Sequence, residues 1–392
     1  MDIPFEKICN YFKCYDTGVK TLQLNQTGRR FLAKVGFHSD VVDFRAYLKM
    51  IPITVFFHML MFGQLGHLIH YLQHNPFSFF EVADDIAVIL STETVTFVTI
   101  SMGSFSSELD KICIELGDFI NADLGRARGV EALDKLFAKY VYACIFAFVS
   151  TCFITFVFYF IDNCAPDEVS NCGFIFTPYL PYIDIYNKPW RQIFLLCQCL
   201  SSYTGGAIIL IIVSQYMFVN EVIILRFDHL ASLIKRIPRT KQEDRQALLG
   251  RIVRYHNYLL KTNKEINRAL SKAFALHLFV TPVNMSVIAY QLLGKEVILS
   301  SVIHLLTYVV IVTLTCGSGE RLTTSSEALY NIIFHSIPLE DTKTALDMKF
   351  ILLKTKKPII LLAGSLTTVN HVLMNEIYRM VWSALTVLNK TK

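Results

Sequence analysis

Charged residues are scarce in this sequence. Of its 392 residues, 18% are charged and 53% are hydrophobic, whereas soluble domains carry about 25% charged residues. A soluble enzyme is therefore disfavoured, and lipid is expected to solvate much of the chain. The net charge of +5 does not indicate nucleic-acid binding, because the basic residues lie between long uncharged runs and not on one polar domain.

Common catalytic motifs are also missing. The sequence contains no G-x-x-x-x-G-K-[ST], G-x-G-x-x-G, H-E-x-x-H or G-x-S-x-G pattern, which removes the usual routes to phosphate, dinucleotide, zinc or acyl chemistry. His67, His70 and His74 share one helical face at a spacing that suits a metal, but a single cluster of this kind is a weak signal. We therefore expect no enzyme, no cofactor and no metal site.

The first 25 residues lack the apolar core of a signal peptide, so the first apolar helix is expected to direct membrane targeting. Ten cysteines scattered over the chain do not form the pattern of a disulfide scaffold. Cys164 and Cys172 share a short polar segment. They are a disulfide candidate if that segment faces the oxidising side of a membrane.

Long charge-free runs indicate membrane helices, because crossing about 30 Å of hydrocarbon takes about 20 apolar residues. Two weaker segments contain charges, and counting them predicts an all-α integral membrane protein with seven transmembrane helices. The clean runs are 50–73, 140–161, 192–220, 273–294 and 297–319, and the weaker ones are 82–103 and 365–389.

Basic residues collect on one side of these spans. Of the 37 Lys and Arg residues, 31 lie before the first span or in alternate loops, so the positive-inside rule predicts a cytosolic N-terminus and an extracellular C-terminus. This orientation is the reverse of a G-protein-coupled receptor. The predicted units are a cytosolic segment 1–49, helices 1–4 in 50–222, a cytosolic helical extension 223–272, helices 5–6 in 273–319, a cytosolic anchor segment 320–364, and helix 7 with the C-terminus in 365–392.

Apolar residues keep helical spacing through the extension and form a heptad seam that runs into the fifth span. Such a seam needs a partner surface, either another subunit or the rest of the same chain. The residues that we predict for a subunit contact are Leu249, Ile252, His256, Leu259, Asn263 and Ile266.

Two spans carry residues suited to a site. The last contains Glu376 and Arg379 with several Asn, Ser and Thr residues, and polar groups at this depth favour a wet central axis over a lipid-facing position. The third span is rich in aromatic residues, which suits an apolar cavity for a small lipophilic ligand but also suits contact with lipid.

Several segments, in order, resemble the insect odorant receptors along the whole chain. They are TPYLPYIDIYNKPW (177–190), RYHNYLLKTNKEINRALS (254–271), TCGSGERLTTSSEALYNIIFH (315–335), KFILLKTKKPIILLAGSLTTVN (349–370) and YRMVWSALTVL (378–388). Phe334 with His335, and Ala384 with Leu385, depart from the family's usual residues. The second cytosolic loop lacks the long insertion of the shared co-receptor, so the chain resembles the odour-tuning subunits.

The resemblance implies a multi-pass plasma membrane protein of the olfactory neuron dendrite. It implies the odorant-binding subunit of a non-selective cation channel, assembled with the co-receptor as a heterotetramer and gated by a small volatile, which we expect to be aromatic. A metabotropic seven-helix chemoreceptor and a gustatory-type channel subunit are the alternatives. No nucleic acid is expected as a partner.

Site residues follow from placing these spans in the family's pattern. The ligand pocket is expected to include Phe148, Phe153, Phe156, Tyr159, Tyr203, His304 and Tyr308. Aligning the C-terminus puts an apolar constriction at Val387 and the next turn at Thr391, with Asn389 expected to line the open pore.

Overall fold

The computed structural model describes residues 44–76, 78–118, 129–161, 179–180, 189–293, 299–338 and 340–390. Within these ranges the chain forms eight α-helices, one 3₁₀ turn and a two-stranded hairpin. The helices are α1 (Phe44–His74), α2 (Phe79–Asp118), α3 (Val130–Ile161), α4 (Trp190–Ile234), α5 (Gln242–Leu292), α6 (Leu299–His335), α7 (Thr342–Thr355) and α8 (His371–Lys390), with the 3₁₀ turn at Ile237–Arg239.

Among the described residues, four helical segments are long and apolar enough to cross a membrane: Ala132–Val157, Trp190–Arg239, Phe274–Leu292 and Ser301–His335. They coincide with four of the predicted spans. The other predicted spans fall on α1, α2 and α8.

The surface of α3 has the character of a lipid-facing helix. Phe146, Val149, Phe153 and Ile154 are all exposed although they are apolar. A contiguous apolar surface of this kind is rare on a soluble monomer and is stable where hydrocarbon covers it.

Helix α4 forms the centre of the bundle. It is buried along most of its length, between α3 on one side and α6 on the other. One continuous core follows it from Ile208 to Ile234 and joins residues of the remaining helices.

The two longest helices extend beyond any bilayer. At about 1.5 Å per residue, the 45 residues of α4 and the 51 of α5 span roughly 68 and 76 Å. Both helices therefore continue well outside a hydrocarbon layer of about 30 Å. Their ends pack with the end of α6 and with α7 into a unit that we call the helical base, residues 223–272 and 320–364.

The six seam residues are buried inside this base, in the chain's own core. A partner subunit cannot reach them there, so the predicted subunit contact is corrected to packing within one subunit. Burial, with the nearby Lys354, lowers the pKa of His256 to about 4, so the imidazole is neutral in the folded base.

The hairpin corrects the predicted start of the last span. Residues Leu362–Ala363 and Thr367–Thr368 pair as antiparallel strands β1 and β2, and the chain reverses at Gly364, where φ is 65°. Helix α8 consequently begins at His371 and not at residue 365. The side-chain oxygen of Asn370 accepts a hydrogen bond from the Leu373 amide at 3.0 Å and thereby caps the helix.

Side chains tie the hairpin and α7 to α5. The Asn267 amide nitrogen donates to the Ile360 carbonyl at 2.9 Å, and its oxygen accepts from the Leu362 amide at 2.9 Å. Asp341 caps α7 by accepting from the Thr344 amide at 3.1 Å. Hydrogen bonds from Thr344, assisted by Arg245, lower the pKa of the Asp341 carboxyl.

Candidate ligand cavity and pore helix

A cavity of about 150 Å³ lies between α1, α2, α4, α5 and α6. In other proteins an apolar cavity of roughly this size binds benzene, so the space suits a small organic molecule. The apolar part of its wall comes from all five helices and consists of Phe57, Leu60, Ala87, Val88, Val95, Ile209, Ile288 and Ile311.

Two adjacent glycines of α4 create part of this space. A β-carbon on Gly205 would lie 3.6 Å from the ring of Phe57, and one on Gly206 would lie 3.0 Å from the ring of Phe148. The second distance is tighter than ordinary contact, so the absence of a side chain at Gly206 lets Phe148 pack against α4.

Three helices contribute a polar cluster to one side of the cavity, the Ser91–Asn284–Tyr308 triad. The Ser91 and Tyr308 hydroxyl oxygens are 3.0 Å apart. The Asn284 amide nitrogen donates to Ser91 at 3.1 Å and to Tyr308 at 3.0 Å. Ser91 and Tyr308 line the cavity, and Asn284 is buried next to them.

His277 of α5 also lines the cavity, with only 4% of its surface exposed. Both of its ring nitrogens are buried without a hydrogen-bond partner among the described residues. A buried polar group in this state is costly, so the ring offers an unused hydrogen-bonding group at the cavity wall.

The residues predicted from sequence occupy several different environments. His304 and Tyr308 line the cavity. Tyr203 lies on the α3 side of α4, where its hydroxyl is 2.7 Å from that of Thr155, and Phe156 packs against Leu195 and Cys199.

The remaining predicted pocket residues lie on α3. Phe148 contacts the Gly206 region from outside the lining, and Phe153 is 68% exposed on the outer surface of the bundle. Tyr159 belongs to α3, but its side chain lies outside the described residues.

Sequence reasoning missed the contributions of α1, α2 and α5 to the cavity. Ser91, His277 and Asn284 are polar residues within apolar helices, and such residues usually face protein and not lipid. That signal was present in the sequence and could have identified all three.

The three histidines considered for a metal site have other contacts. His67 Nδ1 is 2.7 Å from a carboxylate oxygen of Asp85 on α2. The His70 ring stacks on Tyr179, with ring centroids 4.2 Å apart, and its centroid is 4.3 Å from that of His74. Asp85 is buried, so the first contact pairs a buried carboxylate with an imidazole.

Helix α8 has two contrasting faces. Leu373 and Ile377 are buried against the bundle, and the Tyr378 hydroxyl is 2.9 Å from that of Thr313 on α6. The exposed face carries Asn375, Glu376, Arg379, Ser383 and Thr386. Because a polar face is costly against lipid, this face requires water or a polar partner.

The predicted gate lies at the far end of this helix. Val387 is 61% exposed, and Asn389 is also exposed. Thr391 lies outside the described residues, as do Cys164 and Cys172 of the disulfide candidate.

Comparisons with known proteins point in one direction. A family model described as 7tm Odorant receptor matches residues 116–381. The fold is similar to two structures of the insect olfactory receptor OR5 from Machilis hrabei, one of them in complex with eugenol. Their TM-scores are 0.73 for the complex and 0.72 for the other structure. Each is 13% identical to this chain, and each alignment covers 93% of this chain and 98% of that one. No curated protein sequence gives a significant match.

Proposed function

Because the chain belongs to the insect odorant receptor family, we propose that it is the odour-tuning subunit of an odorant-gated, non-selective cation channel. The co-receptor supplies the other subunit type in a heterotetramer. The cavity carries this proposal: a mainly apolar space between five helices, with hydrogen-bonding groups in its wall, is what a small volatile needs.

We propose a topology in which α1 to α6 and α8 cross the plasma membrane of the sensory dendrite. The charge asymmetry of the loops supports a cytosolic N-terminus and an extracellular C-terminus. In this orientation the helical base is cytosolic and acts as the anchor, which agrees with the lengths of α4 and α5.

The ligand in this proposal is a small, aromatic volatile bound in the cavity, in contact with His304 and Tyr308. Binding comes mainly from apolar burial, at about 25 cal/mol per Å². Apolar side chains from five helices supply that surface, so occupancy by a ligand changes the packing among all of them.

The pore in this proposal is lined by the polar face of α8. Its hydrogen bond to Thr313 joins α8 to α6, and α6 also contributes to the cavity. A rearrangement around the ligand therefore has a short physical route to the pore helix. Val387, at the edge of the polar face, closes the pore as part of an apolar ring.

The subunit contact is placed on α7, because the seam is occupied within the chain. One face of α7 is exposed and carries Leu346, Phe350 and Leu353. The opposite face packs on the rest of the helical base. Helix α7 lies outside the membrane-spanning helices of the proposed topology, so lipid does not cover this stripe. An exposed apolar surface of this kind is expected to be covered by a partner, and we assign it to the neighbouring subunit.

Patch recording tests the proposed function. The chain is expressed with a co-receptor in cells whose G-protein signalling is blocked by GDP-β-S, and aromatic volatiles are applied. Rapid cation currents that need both subunits and persist under the block are expected. Currents that disappear under the block would indicate a metabotropic receptor instead.

A further inference from the structure

The Ser91–Asn284–Tyr308 triad leaves one hydrogen-bond donor unused. The Asn284 amide nitrogen supplies hydrogens to both hydroxyl oxygens. Ser91 and Tyr308 each own one hydroxyl hydrogen, and the single bond between their oxygens uses one of the two. Among the described residues neither hydroxyl has another partner, so one O–H hydrogen remains without an acceptor.

The Asn284 amide nitrogen faces the two hydroxyls, and its oxygen is buried without a partner among the described residues. The free hydroxyl hydrogen therefore belongs to Ser91 or Tyr308, and both side chains line the cavity.

We infer that this cavity selects volatiles that carry a carbonyl oxygen, which accepts the free hydroxyl hydrogen of the Ser91–Tyr308 pair. The inference rests on the proposed function and adds the functional group to it. A carbonyl oxygen can accept this hydrogen, whereas a hydrocarbon of the same skeleton has no atom that can.

The position of the triad fits a small ketone. Ser91 comes from α2 and Tyr308 from α6, and the apolar residues Val88 and Ile311 lie one turn away from them on the same helices and also line the cavity. A ligand can then place its oxygen at the hydroxyl pair and its hydrocarbon part against the apolar wall. A ligand with the same carbon skeleton but no carbonyl oxygen cannot form this hydrogen bond. Its concentration for half-maximal current is expected to be roughly two- to tenfold higher.

Two matched sets of volatiles test the inference. Acetophenone, 1-phenylethanol and ethylbenzene share one skeleton, and 2-hexanone, 2-hexanol and hexane share another. Each is applied to the chain expressed with a co-receptor, and the concentration for half-maximal current is compared between the ketone and its hydrocarbon. The ketone is expected to act at the lower concentration in each set.

Removing the hydroxyls separates this inference from other causes. Ser91→Ala or Tyr308→Phe alone leaves one hydroxyl hydrogen, which is then free to reach the ligand, so either single variant keeps the ketone preference. Removing both hydroxyls would free the Asn284 amide hydrogens, so the deciding variant is S91A/N284L/Y308F, which removes all of these donors. Its ketone-to-hydrocarbon ratio is expected to fall roughly two- to tenfold. The hydrocarbon response and the surface expression of this triple variant check that it folds.

The outcomes distinguish the two proposals. An unchanged ketone preference in the triple variant, or no preference for the ketone over its hydrocarbon in the wild-type chain, would overturn the carbonyl assignment while the receptor still responds. Silence towards all six volatiles, with the complex present at the cell surface, would count against the proposed cavity and the carbonyl assignment together.

Discussion

Gly319 of α6 lies directly against the backbone carbonyl of Val369, the residue that follows β2. A β-carbon at position 319 would fall far inside contact distance of that carbonyl oxygen, which belongs to rigid backbone. Because position 319 has no side chain, the chain between β2 and α8 can pack directly on α6.

Gly319→Ala is expected to push Val369 and the start of α8 away from α6. Overpacking of this kind costs about 1–3 kcal/mol, so we expect a lower unfolding temperature in detergent and weaker odour-evoked current. Gly317→Ala is the matched control, because nothing lies within 4 Å of a β-carbon there. That variant should gain up to about 1 kcal/mol from helix propensity. Equal melting of the two variants would argue against the close contact.

Asn267 provides a second test, of the link between α5 and the hairpin. Asn267→Ala removes hydrogen bonds to Ile360 and Leu362 and leaves their backbone groups without these partners. We expect a loss of about 2 kcal/mol in the free energy of unfolding. Asn257→Ala, at an exposed position of the same helix, should change it by less than about 0.5 kcal/mol. Thermal unfolding of both variants measures the difference.

The pKa of His256 predicts how stability depends on pH. Unfolded histidine titrates near pH 6.5, and burial lowers the folded pKa to about 4, so the folded base favours the neutral ring. This contribution is complete above pH 6.5 and is lost as the pH falls towards 4, by up to about 3 kcal/mol.

His256→Leu should therefore flatten the fall in unfolding temperature between pH 7 and pH 4.5. His335→Leu, at the exposed end of α6, is the control and should leave the slope unchanged. If the two variants showed the same pH dependence as the wild-type chain, the neutral buried imidazole would be the wrong description.

Val387 tests the proposed gate. Val387→Ala weakens one part of an apolar ring, so we expect a modest rise in basal current while the co-receptor subunits still close the pore. Val387→Asp should change ion permeation and leave the ranking of odours intact. Val372→Ala makes the same change at the other end of α8 and should not affect basal current. A changed odour ranking with unchanged conductance would instead place Val387 in the binding pocket.

Much of the architecture could be predicted because hydropathy and charge are visible directly in the sequence. Charge-free length located the long apolar helices α1 and α3 to α6, and the apolar stripe running out of the fifth span indicated the continuous helix α5. Periodicity shows that one face is covered, but it does not identify the covering surface. That is why residues such as Ile252 could be assigned to a partner subunit although the chain's own core covers them.

The hairpin and the cavity depended on information that hydropathy does not contain. Residues 359–363 are apolar whether they form a helix or a strand, and the reversal depends on Gly364. Aromatic content did not distinguish Phe153 on the outer surface from Tyr308 at the cavity, because lipid accepts an aromatic ring as readily as a protein core does. Polar residues within the spans, such as Ser91 and Asn284, were the more informative signal.

The central claim is that a volatile bound in this cavity opens the channel, and one pair of variants tests it most directly. Val88→Phe fills the cavity from α2, and Val149→Phe makes the same substitution on the exposed surface of α3. Dose–response currents are recorded with the co-receptor, at matched surface expression. The account predicts at least a tenfold higher half-maximal concentration for Val88→Phe and no change for Val149→Phe. Identical dose–response curves for the two variants would contradict it.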